Sequence, residues 1–222
     1  MLSRRLQAIA DLVTTGECVA DIGSDHGLLV SYLASKGYTA LYASENKKGP
    51  YNRLKRELTN YSSTIIETDL ADGLEKLPPR INTVVIAGMG GELIANILSA
   101  HPRKLDNVTK LILAPHSNAQ AVREVLNTLN YSISYEEVVV EKEQFYEIIV
   151  ALQKAVPIKE VNTYFGSYHL RQRSANFIKM WTSVYHQNTR ILSNKKIPPS
   201  RKAELVKEQA LILNVISEGE KV

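Results

Sequence analysis

Apolar positions along the chain change their period several times, and each change marks an element. Leu6, Ile9, Ala10 and Val13 recur at helical spacing behind Ser3, whose hydroxyl can cap a first turn, so residues 3–13 predict an opening helix. Residues 18–22 then form a short apolar run, residues 23–27 a glycine-containing turn, and residues 28–35 a helical segment. The same succession returns down the chain, with strands expected at 40–44, 63–68, 84–87 and 110–114 and helices at 50–60, 92–99 and 119–129. Strands alternating with helices predict a parallel sheet covered by helices, an α/β fold.

The rhythm breaks after residue 130. Residues 132–140 and 145–153 are both strand-like and are separated only by the charged stretch 141–144, which is too short for a helical crossover and predicts a hairpin. A parallel sheet finished by an antiparallel hairpin is the layout of the Rossmann-like class I methyltransferase fold; a dinucleotide-binding Rossmann domain would continue with strand and helix. Beyond Pro157 two helices are expected, at 175–193 and 200–217. Phe177, Trp181, Val184, Asn188 and Ile191 follow 4-3 spacing on the first, and Leu205, Gln209, Ile212 and Ile216 on the second. That pattern predicts two antiparallel helices with a coiled-coil-like seam, and hence a division into residues 1–156 and 157–222.

Charge gives the two parts different partners. The net charge is +4, yet residues 1–156 carry 16 Lys and Arg against 18 Asp and Glu, whereas residues 157–222 carry 11 against 5. All of the positive excess lies in the helical part, which points to a nucleic acid. Arg171, Arg173, Lys179, Lys195, Lys196, Arg201 and Lys202 are the expected phosphate contacts; the competing reading is a solvated, lysine-rich helical surface. A single cysteine, Cys18, excludes an internal disulfide, reads as a buried core thiol and fits a reducing cytoplasm. The first 13 residues lack the continuous apolar segment of a signal peptide, and no stretch approaches transmembrane length. A monomer with no membrane partner is the expectation.

In open parallel sheets ligands bind beyond the carboxyl ends of the strands, so the turns there should converge. Asp21, Gly23, Ser24 and Asp25 form the first turn, where glycine lets the backbone approach a ligand and carboxylates can accept from an ammonium group. S-adenosylmethionine carries such a group. A dinucleotide is disfavoured, because Gly23 and Gly27 do not satisfy G-x-G-x-x-G and Asp25 stands where a pyrophosphate would lie. Glu45, ending the second strand, is placed to grip both ribose hydroxyls, and Asp72 with Gly73, after the third, to receive the adenine amino group. The turn Gly88-Met89-Gly90-Gly91 is too glycine-dense for a simple corner and is expected to floor the site. No His or Cys spacing indicates a metal, and neither G-x-S-x-G nor a P-loop is present.

Taken together, Asp21-Ile22-Gly23-Ser24-Asp25-His26, Ala87-Gly88-Met89-Gly90-Gly91 and Tyr146-Glu147-Ile148 resemble the bacterial TrmK family, the tRNA (adenine-22-N1)-methyltransferases. The likeness extends over the whole chain, from the opening Leu2-Ser3-Arg4-Arg5-Leu6 to Phe165-Gly166 before the terminal helices. It implies methyl transfer from S-adenosylmethionine to N1 of adenine 22 in the tRNA D-arm. Where the family shows Gln-Pro-Asn after the fifth strand, this chain has Ala114-Pro115-His116, with Asn118 two positions later. A flipped adenine is expected in a pocket of Gly88 to Gly91, His116, Asn118 and Tyr146, with Asp25 either as the carboxylate that relieves the exocyclic amine of its proton or as a cofactor ligand. Two other readings compete: an NAD-type oxidoreductase, and a non-catalytic RNA-binding protein that keeps the methyltransferase fold.

Overall fold

Seven strands form one sheet in the order β3-β2-β1-β4-β5-β7-β6. The computed structural model describes residues 2–59, 61, 65–153, 162–194 and 196–217. Strands β1 (Val19–Ile22), β2 (Ala40–Glu45), β3 (Ile65–Leu70), β4 (Thr83–Met89) and β5 (Lys110–Pro115) run parallel. Helices α1 (Arg4–Asp11), α2 (Leu28–Ser35), α3 (Lys48–Leu58), α4 (Gly91–Ala100) and α5 (Ala119–Thr128) connect and cover them. The expected order is therefore the observed one. Boundaries move by at most two residues, and Cys18 lies just before β1 and is half-buried, not a fully buried member of the strand.

Alternation along the central strands divides the core between the two sheet faces. Ala20, Ile22, Val84, Ile86, Leu111 and Leu113 point to the face covered by Ile94 and Leu98 of α4 and Val122 and Leu126 of α5. Val19, Val85, Ile112 and Ala114 point to the other, covered by Ile9 of α1, Leu29 and Leu33 of α2 and Leu54 of α3. Burial on both faces is why these strands read as continuous apolar runs.

The terminal hairpin is β6 (Tyr131–Glu141) and β7 (Gln144–Gln153), turned by Lys142 and Glu143, both in the left-handed region. Strand β7 inserts between β5 and β6 and is antiparallel to both. β6 is an edge strand and pairs with β7 alone. Two reversals still give β6 the direction of β5, so the start of β7 returns to the carboxyl ends of the parallel strands. Inserting the last strand shields the edge of β5, which would otherwise present unpaired backbone groups.

Arg123 of α5 is fully buried and ties the hairpin to the chain that follows. Its Nε donates to Glu136 Oε1 of β6 at 2.6 Å, its Nη2 to Glu147 Oε1 of β7 at 2.5 Å, and its Nη1 to the carbonyls of Thr163 and Tyr164 at 3.2 Å each. Burial alone would push the guanidinium toward losing its proton, but the Glu147 and Glu136 carboxylates outweigh it and raise the pKa above the ordinary value. The chain divides into two compact units, residues 1–168 and 169–222. The expected boundary at 156 and 157 lies outside the described residues, and residues 162–168 group with the sheet.

A helix absent from the sequence expectation, α6 (Ser167–Gln172), precedes α7 (Ala175–Leu192) and α8 (Pro199–Ser217). In the second unit α7 and α8 meet in opposite order: Asn188 donates to Glu208 at 3.0 Å, Gln209 to the Thr189 hydroxyl at 2.7 Å, and Arg173 to the carbonyl of Val215 at 2.5 Å. Phe177, Trp181, Asn188, Leu205 and Ile212 are buried in this seam as expected, with Met180 and Val215 added, whereas Ile191 is exposed at the helix end. Replacing Arg123 with Met should lower stability by about 3–5 kcal/mol, because the buried Glu136 and the half-buried Glu147 lose their counter-charge. Urea denaturation of the variant beside wild type measures it.

Candidate active site

The turn after β1 folds over the end of β2. The backbone N–H groups of Gly23 and Ser24 both donate to the carbonyl of Ser44, at 2.9 and 3.0 Å. Gly23 has φ +74°, a conformation that favours glycine, and a Cβ there would push aside the flexible end of the Met89 side chain, which packs over the turn. Between them lies a cleft of about 350 Å³ that brings together Asp21, Gly23, Ser24, Asp25, Gly88 and Met89. Arg5 and His26, which the sequence pattern did not assign to the site, also line it.

Asp21 forms its buried floor. Burial raises the carboxyl pKa to about 6; the Ser24 hydroxyl, donating to Asp21 Oδ2 at 2.5 Å, partly offsets this, and the Glu45 carboxylate adds to it. Asp25 is exposed at the cleft mouth, where Arg53 Nη2 lies 3.2 Å and His26 Nε2 3.6 Å from its Oδ1. Two carboxylates four residues apart thus have different surroundings, one dry and one wet.

Glu45, Asp72 and Gly73 stand beside this cleft at the ends of β2 and β3. Glu45 is buried, and its Oε1 accepts the N–H groups of Asn46 at 3.1 Å and Lys47 at 3.2 Å, which fixes the carboxylate against its own turn. Its carbonyl accepts from Ala71 N at 3.1 Å and so brings the exposed Asp72 alongside.

The Gly88–Gly91 turn is locked to the loop after β5. His116 N donates to the Met89 carbonyl at 3.0 Å and Gly91 N to the Ser117 carbonyl at 2.8 Å. A Cβ on Gly91 would overlap the carbonyl oxygen of Asn118, so this glycine serves the close approach of two backbones. Asn118 caps α5 from a left-handed conformation: its Oδ1 accepts from Ala121 N at 3.3 Å and its Nδ2 donates to Glu92 at 3.2 Å. Its amide is therefore occupied at both ends, while the His116 side chain is exposed. Tyr146 lies at the same end of the sheet, with the Arg5 guanidinium carbon 4.8 Å from its ring centroid. The next residue of β7, Glu147, which the family pattern also contains, belongs to the Arg123 cluster instead.

Of the expected phosphate contacts, Arg171, Lys179, Lys196, Arg201 and Lys202 are exposed. Arg201 pairs with Glu204 at 3.1 Å, Arg173 is half-buried with its Nη2 committed to Val215, and Lys195 lies outside the described residues. Lys179 shares one face of α7 with Thr182, Ser183, His186, Gln187 and Arg190, which together line a shallow groove. Among the described residues no helix is long and apolar enough to cross a membrane, and no group of three His, Cys, Asp or Glu could hold a metal ion.

A methyltransferase domain model matches residues 2–149. The tRNA (adenine(22)-N(1))-methyltransferase of Bacillus subtilis is 32% identical over 98% of this chain and 98% of its own. The chain belongs to the tRNA (adenine(22)-N(1))-methyltransferase family. A Streptococcus pneumoniae structure in complex with S-adenosyl-L-methionine is 29% identical with a TM-score of 0.87, over 97% of this chain and 100% of that one. Mycoplasma capricolum TrmK, in complex with the cofactor product S-adenosyl-homocysteine, is 26% identical with a TM-score of 0.84, over 97% and 98%. This family excludes the oxidoreductase reading, and its terminal hairpin accounts for the sheet order.

Because the folded protein raises the Asp21 pKa from 3.8 to about 6, the ionised carboxylate subtracts stability above pH 6 and the penalty is absent below pH 3.8. Asp21→Asn should therefore raise the stability of the cofactor-free protein at pH 8 by up to about 3 kcal/mol. The gain should shrink as pH falls through 6 toward 4, and cofactor affinity should drop. Denaturant titrations at pH 8 and pH 5, with calorimetric cofactor binding, check both parts.

Proposed function

We propose that this protein transfers a methyl group from S-adenosylmethionine to N1 of adenine 22 in the D-arm of tRNA. The observation that carries this reading is the cleft in which the Asp21–Asp25 turn and the Gly88–Met89 turn meet at the carboxyl ends of β1 and β4, within a chain of this family. S-adenosylmethionine supplies an electrophilic methyl carried on a sulfonium. Asp21 accepts hydrogen bonds from the cofactor's ammonium group, an interaction that relieves the cost of its burial. Gly23 and Ser24 hold the turn close, Glu45 receives the ribose hydroxyls on the carboxylate that its own turn has oriented, Asp72 with Gly73 meets the adenine edge, and Gly88 with Met89 floors the pocket.

Adenine N1 has an in-plane lone pair, so no proton need leave before attack and the protein acts chiefly by orientation. Tyr146 offers its ring to the extruded base, and His116 borders the base from the adjoining loop. Asn118 contributes by holding that loop. Asp25, exposed at the mouth, takes the proton of the exocyclic amine as positive charge develops on the ring. Residues 169–222 bring the cations that hold tRNA, with Arg171, Lys179, Lys196, Arg201 and Lys202 on phosphates and Arg190 added from the α7 groove. We take the cytoplasm as the compartment and a monomer as the working unit.

Asp25→Ala should keep cofactor affinity and lower the single-turnover rate on unmodified tRNA by about two to four orders of magnitude. A collapse of cofactor affinity would reassign Asp25 to the binding site. Replacing Lys179 and Arg190 with Ala should weaken tRNA equally across sequences and reduce the salt slope by about one for each phosphate no longer neutralised. Filter binding over a range of ionic strength reads both quantities, and an unchanged slope would remove the α7 groove from the tRNA surface.

A further inference from the structure

Helix α3 departs from the charge of the unit that contains it. Residues 46–58 hold Lys47, Lys48, Arg53, Lys55 and Arg56 against one acid, Glu57, although residues 1–156 carry more acids than bases. Leu54 and Leu58 anchor the helix to the core, and Lys47, Lys48, Lys55 and Arg56 are exposed. These four make no ion pair among the described residues, whereas Lys76, Arg80 and Lys110 on the same unit each face a carboxylate. Like charges crowded on two helical turns repel one another, so the strip is stabilised when an external anion arrives.

Geometry narrows the class of anion. Gly49, Asn52, Arg53, Lys55 and Arg56 line one open groove along the helix. A Cβ on Gly49 would meet nothing within 4 Å, so that end of the groove is clear. From Gly49 to Arg56 is two turns, about 10 Å, and a nucleic-acid strand advances about 3.4 Å per phosphate along its axis, so the groove matches about three consecutive phosphates. Its inner limit is Arg53, whose Nη2 lies 3.2 Å from Asp25 at the cleft mouth. A strand that delivers an extruded base to the cleft therefore has its neighbouring phosphates beside α3. An acidic peptide would satisfy the charge but has no reason to lie against that mouth. We propose that the α3 groove binds the backbone phosphates next to the target adenosine, a second tRNA contact carried by the catalytic unit itself. The inference rests on the tRNA reading above and adds a surface independent of residues 169–222.

The test compares four full-length proteins: wild type, the Lys55→Ala, Arg56→Ala double variant, Gly49→Glu and Gly49→Gln. Unmodified tRNA is titrated by filter binding over a range of ionic strength, and S-adenosylmethionine by calorimetry as the control for an intact fold. The double variant should bind tRNA roughly three- to thirtyfold more weakly at low salt. The steepness of its salt dependence should fall by about 1.4 to 1.8, the value for two phosphates. Gly49→Glu puts a carboxylate into the groove where space is open and should also weaken tRNA binding, whereas Gly49→Gln, equal in size and uncharged, should bind nearly as wild type does. All variants should keep their cofactor affinity, and Gly49→Glu carries the same test if the double variant fails to fold. Wild-type affinity and salt slope in the double variant and Gly49→Glu would overturn the proposal and leave the strip to a different anionic partner. So would equal losses in Gly49→Glu and Gly49→Gln, which report bulk and not charge. If wild type itself bound no tRNA, the tRNA reading would fall; if replacing Lys179 and Arg190 reduced the salt slope while the α3 variants did not, the α3 proposal would fall alone.

Discussion

Parallel pairing of β1 with β4 is the constraint on which the site depends. Val19 to Ile22 run in register with Thr83 to Ile86, and both strands are buried on both faces, so neither can slip without turning core residues outward. Their carboxyl ends consequently finish side by side, and the turns that leave them must share one small space. Gly23 under Met89 is the result, and from it follow the position of the cleft, the exposure of Asp25 above it and the burial of Asp21 below it.

Burial of Asp21 shows the tension in such an arrangement. A carboxylate withdrawn from water and set near a second one, Glu45, is disfavoured in the folded protein, and the Ser24 hydroxyl compensates only in part. The residue is held there by a backbone that a parallel sheet fixes firmly, and a cationic ligand group is the natural complement of its charge. Under the proposed function Asp21 links stability to binding: what weakens the free protein is what the bound state would use.

Much of this architecture was legible in the sequence because apolar period and glycine position are local signals. The hairpin at 141–144 was readable from its length, although its second strand reaches its place by inserting beside β5. Long-range pairings left no local trace. Glu147 belongs to Arg123, twenty-four residues away, and Asn118 to the cap of α5 and to Glu92. Arg5 carries no local mark of the site, since nothing in its neighbourhood along the chain announces Gly88 or Tyr146. Net charge also hid a local fact: the acidic first part still carries a basic strip on α3, where Arg53, Lys55 and Arg56 line one groove and Arg53 reaches Asp25. The six-residue α6 was too short to show a period.

The lock between the Gly88–Gly91 turn and the Pro115–Asn118 loop has a consequence for how such an enzyme can change its substrate. Met89 and Gly91 are bonded to His116 and Ser117 through main-chain atoms, and the closest approach involves the backbone of Asn118. Side chains in either segment can therefore vary while the main-chain frame persists. Grafting one loop alone from another methyltransferase would break that frame. The two segments form a single cassette, and specificity can be transplanted only by moving both.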